Sequence, residues 1–353
     1  MTTEPPRRPW AGALLLPLAA AAVAAVLSCC CCHGASAAAA SFGDNFEITG
    51  AEDHVKTSAD GQTWYLYLDN KTGVGFQTKQ RYLFGWFSMK LKLVGNDSAG
   101  VVTAYYVRCR RLAAPSFLPS DHRSFRPAII IWSMADDADL VQMCSDVDAA
   151  PQRDELDFEF LGNRSGEPYI IQTNVYHNGV GGREMRHWLW FDPTADFHTY
   201  AILWNTKHIV FFVDKVAIRV YPNDASKPGG GSGFFPISKP MYIFSSIWNA
   251  DDWATRGGLD RTDWAKAPFV SSYRDFATDA CAWPADSNAP PACAAATGDS
   301  WWDQPPAWAL DAGQRLDNAW VARNLLIYDY CDDRKRFPTP PEECALRAAA
   351  TAS

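Results

Sequence analysis

Basic charge is scarce in this chain: 32 Lys and Arg stand against 40 Asp and Glu over 353 residues, a formal net charge of -8. With no long lysine or arginine block, the sequence lacks the positive stripe that a polyanion needs, which argues against nucleic acid and fits a neutral ligand better. Metal-ligand spacings are missing as well. Apart from the run Cys29 to Cys32, neither C-x-x-C nor H-E-x-x-H occurs, so no metal and no cofactor is expected. Between Asp44 and about Tyr273 no segment shows a long pattern of period 3.6, which excludes a helical domain there. Only the stretch from Trp10 to Leu27 is apolar enough to approach a membrane span.

That stretch follows Arg7 and Arg8 and precedes CCCCHGASAAAA. A basic region, an apolar region and small residues, in that order, make a secretory signal peptide. Residues 1–40 are expected to be cleaved, since no stop-transfer cluster of charge follows to make an anchor. The product is then secreted, with no membrane contact. Three sequons, Asn70-Lys71-Thr72, Asn96-Asp97-Ser98 and Asn163-Arg164-Ser165, agree with that route. Of the 10 cysteines, Cys29 to Cys32 fall in the leader, and Cys109 and Cys144 flank or lie in an odd central segment. Cys281, Cys293, Cys331 and Cys344 remain, in a loop-rich tail. In an exported protein they read as two disulfides, and the local pairing, Cys281 with Cys293 and Cys331 with Cys344, is the simplest connectivity.

Aromatic and apolar residues are plentiful, at 13% and 48%, with 15 Trp. Runs such as WYLYLD, GWFSMKLKLV, AGVVTAYY, ELDFEFLG, YIIQTNVY, RHWLWFD, HTYAILWN, HIVFFVD, VAIRVYP and MYIFSSIWN are short, rich in β-branched and aromatic residues, and bounded by turn residues. They indicate antiparallel strands of an all-β sandwich or jelly roll. The composition changes near Ala277 to Ala-, Pro- and Asp-rich loops, with one helix expected near Ala309 to Tyr328. We therefore expect a domain over 41–276 and a C-terminal extension over 277–353. Residues 107–142 interrupt what otherwise reads as one hairpin, and so long a connection in a compact β domain is either a functional insertion or foreign to it. A Val codon begins GT and a Gln codon can end AG, so the segment reads as an unspliced in-frame intron. Sequencing the transcript across Tyr106 and Met143 tests this: a message that predominantly carries the segment contradicts it.

The stretch DELDFEFLGNRSG, residues 154–166, holds the chemistry. As a strand it projects Glu155, Asp157 and Glu159 to one face and Leu156, Phe158 and Phe160 to the other. Three carboxylates on one face repel, so at least one pKa should rise, which lets one group stay a protonated acid beside an anionic neighbour. A solvated strand with no interleaved cation would be a poor design, and calcium usually draws varied oxygen ligands from loops. A pair of glutamates for glycosidic cleavage is the better reading.

DELDFEFLGN resembles the active-site strand of the plant xyloglucan endotransglucosylase/hydrolases of glycoside hydrolase family 16. YIIQTNVY, GGREMRHWLWFDPTADFHTY, WNADDWATRGGL and YDYCDDRKRFPTPPEEC are similar to that family's further signatures, in its order. The resemblance covers nearly the whole chain after the leader, except residues 107–142. It implies a concanavalin-like β-jelly-roll sandwich with a short disulfide-stapled extension that lengthens the acceptor side of a cleft. It implies that Glu155 is the nucleophile, Glu159 the general acid/base and Asp157 a helper between them. Substrate contacts would come from Glu159, Gln172, Thr173, Asn174, Gly182, Arg183, Glu184, Asp252, Trp253, Gly257 and Arg336. Arg256 is read as buried support, and Trp248 is left open between core and cleft. Asn163 matches the family's usual glycosylation position. The partners implied are xyloglucan donor and acceptor chains, acted on by a monomer in the cell wall and apoplast. Rival readings are a strict xyloglucan or mixed-linkage glucan endo-hydrolase, or an inactive glucan-binding lectin.

Overall fold

A computed structural model describes residues 41–108, 152–224, 233–284, 287–295 and 300–347. The expected leader and all but the first two residues of the 107–142 interruption lie outside the described residues. In chain order the strands are Phe46–Gly50 (β1), Val55–Thr57 (β2), Trp64–Leu68 (β3), Val74–Thr78 (β4), Arg81–Lys92 (β5), Val101–Arg108 (β6), Glu155–Leu161 (β7) and Ile170–Tyr176 (β8). They continue with Met185–Trp188 (β9), His198–Trp204 (β10), His208–Val213 (β11), Val216–Pro222 (β12), Tyr242–Asn249 (β13), Phe269–Trp283 (β14) and Leu326–Asp329 (β15). Among the described residues two α-helices, Phe42–Asn45 (α1) and Ala312–Asn324 (α2), complete the regular elements apart from short 3-10 turns.

The alternation seen in the sequence sorts these strands into two antiparallel sheets. One has eight strands in the order β1-β4-β13-β6-β7-β8-β9-β15, and the other has seven in the order β12-β11-β10-β5-β14-β3-β2. This is the all-β sandwich expected. Its core forms where the inner faces meet. Leu156, Phe158 and Phe160 of β7 are fully buried. Phe158 meets the Phe211 ring edge-on at 5.2 Å, and Phe160 meets Tyr200 at 4.6 Å, both across the sandwich. Burying each such ring contributes about 1.5–3 kcal/mol, and edge-to-face pairs add about 0.5–1.5. That clamp fixes the register of β7, because a slip of one residue would turn its carboxylates into an aromatic core.

The C-terminal region packs onto both sheets. Helix α2 lies against β12, where Asn318 Nδ2 donates to Ala217 O at 3.0 Å. Strand β15 extends the eight-stranded sheet by pairing with β9. Disulfides join Cys281 to Cys293 and Cys331 to Cys344.

Several boundaries differ from the sequence reading. The helix expected over 309–328 is confined to Ala312–Asn324: Asp311 caps its start by accepting from Gln314 N, and the apolar residues after Asn324 pair as β15. The domain division expected after residue 276 falls inside β14, which runs on to Trp283 with residues 277–279 exposed and Cys281 and Trp283 buried again. The change in composition there begins while the chain is still part of the seven-stranded sheet. Strand β6 continues past Tyr106, with Val107 opposite Leu156 and Arg108 opposite Tyr242. Among the described residues no helix is long and apolar enough to cross a membrane.

Candidate active site

Strand β7 lies at the centre of the eight-stranded sheet and carries its carboxylates on the face turned away from the core. On β8, Tyr176 lies opposite Glu155, Asn174 opposite Asp157 and Gln172 opposite Glu159. On β6, Tyr106 lies opposite Asp157 and Ala104 opposite Glu159. The same face carries a second apolar group of Ala104, Tyr106, Tyr242 and Phe244, with Trp248 packed against it. The N-terminal end of β7 is anchored by Lys239, whose Nζ donates to Asp154 Oδ1 at 3.0 Å and to Gln152 O at 2.6 Å.

The three acidic groups are all buried, and their surroundings differ. Glu155 has a cation beside it: Arg153 Nε donates to Glu155 Oε2 at 3.3 Å, with the guanidinium over the Tyr176 ring at 4.6 Å. Asp157, hydrogen-bonded to Glu155, is raised well above the usual aspartate range, first by burial and then by the charges of Glu155 and Glu159. Burial pushes Glu159 up to about 7, and the Glu184 charge adds to this, while the Gln172 hydrogen bond and Arg186 pull it back. Gln172 Nε2 donates to Glu159 Oε2 at 2.5 Å, and Gln172 Oε1 accepts from Arg186 Nε at 2.6 Å.

The residues expected to contact a sugar divide into groups. Gln172 and Asn174 share the face of the carboxylates. Thr173 does not, because strand alternation turns it inward, where its hydroxyl and carbonyl both accept from Arg219 Nη1 at 2.9 Å. Arg183 is also turned away: its guanidinium is buried and bonded to Glu343 and to Val180 O. The turn before β9 brings Gly182, Glu184 and Arg336 together, and Arg336 Nη1 donates to Glu184 Oε2 at 2.7 Å. Gly182 is at φ +82°, and a Cβ there would stand 3.1 Å from the Arg336 guanidinium. Trp253 is half-buried against Val102, Leu161, Ala250 and Ala254, at the end of the row beyond Glu159. Asp252 and Gly257 are exposed near it in sequence. Arg256 is exposed and paired with Asp260 at 3.2 Å, so it is not buried support: its left-handed backbone, φ 53°, belongs to a tight surface turn.

Sequence reasoning missed Arg153, Arg186, Tyr106 and Tyr328. The first was detectable, since Arg153 has the same parity as Glu155, Asp157 and Glu159. Arg186 on β9 has the parity of Glu184, just before that strand, but only the pairing of β9 with β8 shows that it reaches Gln172. A cavity of about 550 Å³ lined by residues such as Val94, Asn96, Lys266 and Phe269 shares none of these groups. The candidate site rests on the carboxylate row.

A two-sheet sandwich with such a row defines a class, and comparisons with known proteins specify it. The family described as glycosyl hydrolases family 16 matches residues 42–114 and 140–266, and the xyloglucan endo-transglycosylase C-terminus matches residues 296–344. The chain is 58% identical over 306 residues to probable xyloglucan endotransglucosylase/hydrolase protein 8 of Arabidopsis thaliana, covering 87% of each chain. It is 46% identical over 304 residues to xyloglucan endotransglucosylase protein 34 of Populus tremula x Populus tremuloides, covering 86% of this chain and 87% of that one. Among solved structures, a Bacillus licheniformis beta-glucanase aligns at 19% identity and a TM-score of 0.44, covering 66% of this chain and 91% of that one. The protein belongs to the xyloglucan endotransglucosylase/hydrolases of glycosyl hydrolase family 16. The family match narrows the sequence interruption to residues 115–139.

The Glu159 pKa has a consequence for stability. A carboxyl whose folded pKa is raised contributes stability below its unfolded value, near 4.3, and loses it as pH rises through the folded value of about 7. Glu159→Gln removes that loss. In urea unfolding, the variant should gain on the parent between pH 4 and pH 8, by on the order of 3 kcal/mol. Parallel stability profiles for the two proteins contradict the assignment.

Proposed function

We propose that the protein cleaves the β-1,4-glucan backbone of xyloglucan with retention and transfers the cleaved chain to another xyloglucan chain or to water. The observation that carries this reading is the unequal pair on β7. Glu155 has a cation beside it, and Glu159, two steps along the same face, has its pKa pushed up to about 7. One environment suits an anionic nucleophile, the other a proton donor near neutral pH. At about 3.3 Å per residue their Cα atoms stand about 13 Å apart, and side chains leaning together can close to the 5–5.5 Å, roughly, of a retaining pair.

In the first step a Glu155 oxygen attacks the anomeric carbon. The bond to the leaving chain breaks, its electron pair goes to the glycosidic oxygen, and that oxygen takes the Glu159 proton. In the second step Glu159 removes the proton from an acceptor hydroxyl, whose oxygen attacks the anomeric carbon and displaces Glu155. Asp157, buried between them and bonded to Glu155, adjusts the charge along the row. Gln172, Asn174 and Trp253 are suited to sugar hydroxyls and C–H faces. Glu184, Arg336 and Gly182 lie two strands away, where an acceptor chain would extend. Xyloglucan donor and acceptor are the partners of this reading, and the protein acts as a monomer. Its apolar N-terminal run, sequons and disulfides fit a secreted glycoprotein of the cell wall, with Asn163 as the glycan site.

Glu155→Ala should abolish turnover and spare glucan binding. Supplying a labelled xyloglucan oligosaccharide as acceptor separates transfer from strict hydrolysis, since only transfer yields labelled long chains. Full activity in Glu155→Ala overturns the assignment, and glucan binding without turnover in the parent protein favours a lectin.

A further inference from the structure

The bonds at Gln172 fix more than its position. Arginine has donors and no acceptor, so Gln172 must turn its carbonyl to Arg186 Nε, 2.6 Å away, and its amide N–H to Glu159 Oε2, 2.5 Å away. A free glutamine could flip and offer its carbonyl to a protonated carboxyl. With Arg186 in place that flip leaves two donors facing each other. The N–H at Oε2 also leaves Oε1 as the oxygen that can carry the acid's proton, because two donors cannot share one contact. Arg186 is held in turn by the C-terminal extension. Its guanidinium lies over the Tyr328 ring of β15 at 5.7 Å, and Tyr328 OH donates to Asp333 at 2.9 Å.

We propose that Arg186 is a positioning residue: it acts on Glu159 through Gln172, keeps the catalytic proton on Oε1, and sets the pH above which the site stops working. The inference rests on the reading of Glu159 as the acid/base. It gives the extension a role in proton control, exerted from β15 through β9 and β8 to β7. The groups facing Glu159 are consistent with this route. Asp157 and Glu155 lie on its own strand, Gln172 and Asn174 on β8, Arg186 on β9 with Glu184 in the turn just before it, and the position opposite it on β6 is the uncharged Ala104. Arg153 sits at the far end of the row, beside Glu155. Arg186 is therefore the cation on the Glu159 side whose bond reaches the acid's own partner.

The test is the pH profile of kcat/KM for full-length protein cleaving a xyloglucan oligosaccharide, run beside an aryl glucoside whose dinitrophenolate leaves without a proton. For Arg186→Met the alkaline limb should move up by about one pH unit. Cleavage of the oligosaccharide should fall about tenfold, with little loss on the aryl substrate. Arg186→Lys, which can still donate to Gln172 Oε1, should restore most of the parent profile. In a Gln172→Leu background, Arg186→Met should move the limb no further. An unmoved limb, a rise in KM alone, or an equal loss on both substrates overturns the proposal. If Arg186→Met does not fold, by circular dichroism and thermal melting, Gln172→Leu alone must move the limb, and an unmoved limb there overturns it equally. A parent protein that cleaves neither substrate refutes the proposed function itself, a result distinct from a failed shift.

Discussion

Phe158 and Phe160 are gripped across the sandwich by Phe211 and Tyr200, and the facing of the whole carboxylate row depends on that grip. A strand whose odd and even residues face opposite ways cannot move one set without moving the other. Packing the rings thus determines where Glu155, Asp157 and Glu159 point, and the neighbouring strands bring Tyr106, Tyr176, Asn174 and Gln172 opposite them. Repulsion among three carboxylates is tolerated because the aromatic burial that holds the strand is worth several kcal/mol, of the order of the cost of keeping one buried carboxyl protonated.

The row is made useful by its asymmetry. Its Glu155 end meets Arg153 and its Glu159 end meets the amide of Gln172. A guanidinium and a neutral amide stabilise negative charge to different degrees, and in buried surroundings the difference grows. The two glutamates, alike in the sequence, become unlike in the fold. The extension joins this arrangement directly, since β15 is the eighth strand of the same sheet and carries Tyr328 to Arg186.

Much of this was legible in the sequence, because alternation is local and the core-facing aromatics of β7 declare its two faces. The sandwich was legible for the same reason. Sequence and structure differ where a motif overrides alternation or where long-range pairing decides. Thr173 shares a motif with Gln172 and Asn174, but its parity places it in the core with Arg219. Arg183 was grouped with its neighbours, but its partner Glu343 lies far along the chain. The residues of β15 look like a continuation of the helix because nothing local reveals that β9 leaves an edge for them to pair with. Arg186 went unnoticed since its meaning depends on Gln172, which a turn and a strand pairing bring beside it.

The central claim is that β7 presents Glu155, and no other carboxylate of the row, to the anomeric carbon. Trapping the intermediate tests it most directly. A 2-deoxy-2-fluoro glucan donor with a good leaving group forms the covalent glycosyl-enzyme and slows its breakdown, and peptide mass spectrometry then locates the added sugar. The account predicts the sugar as an ester on Glu155. An ester on Asp157 or Glu159, or inversion at the anomeric carbon with no trapped species, would contradict it.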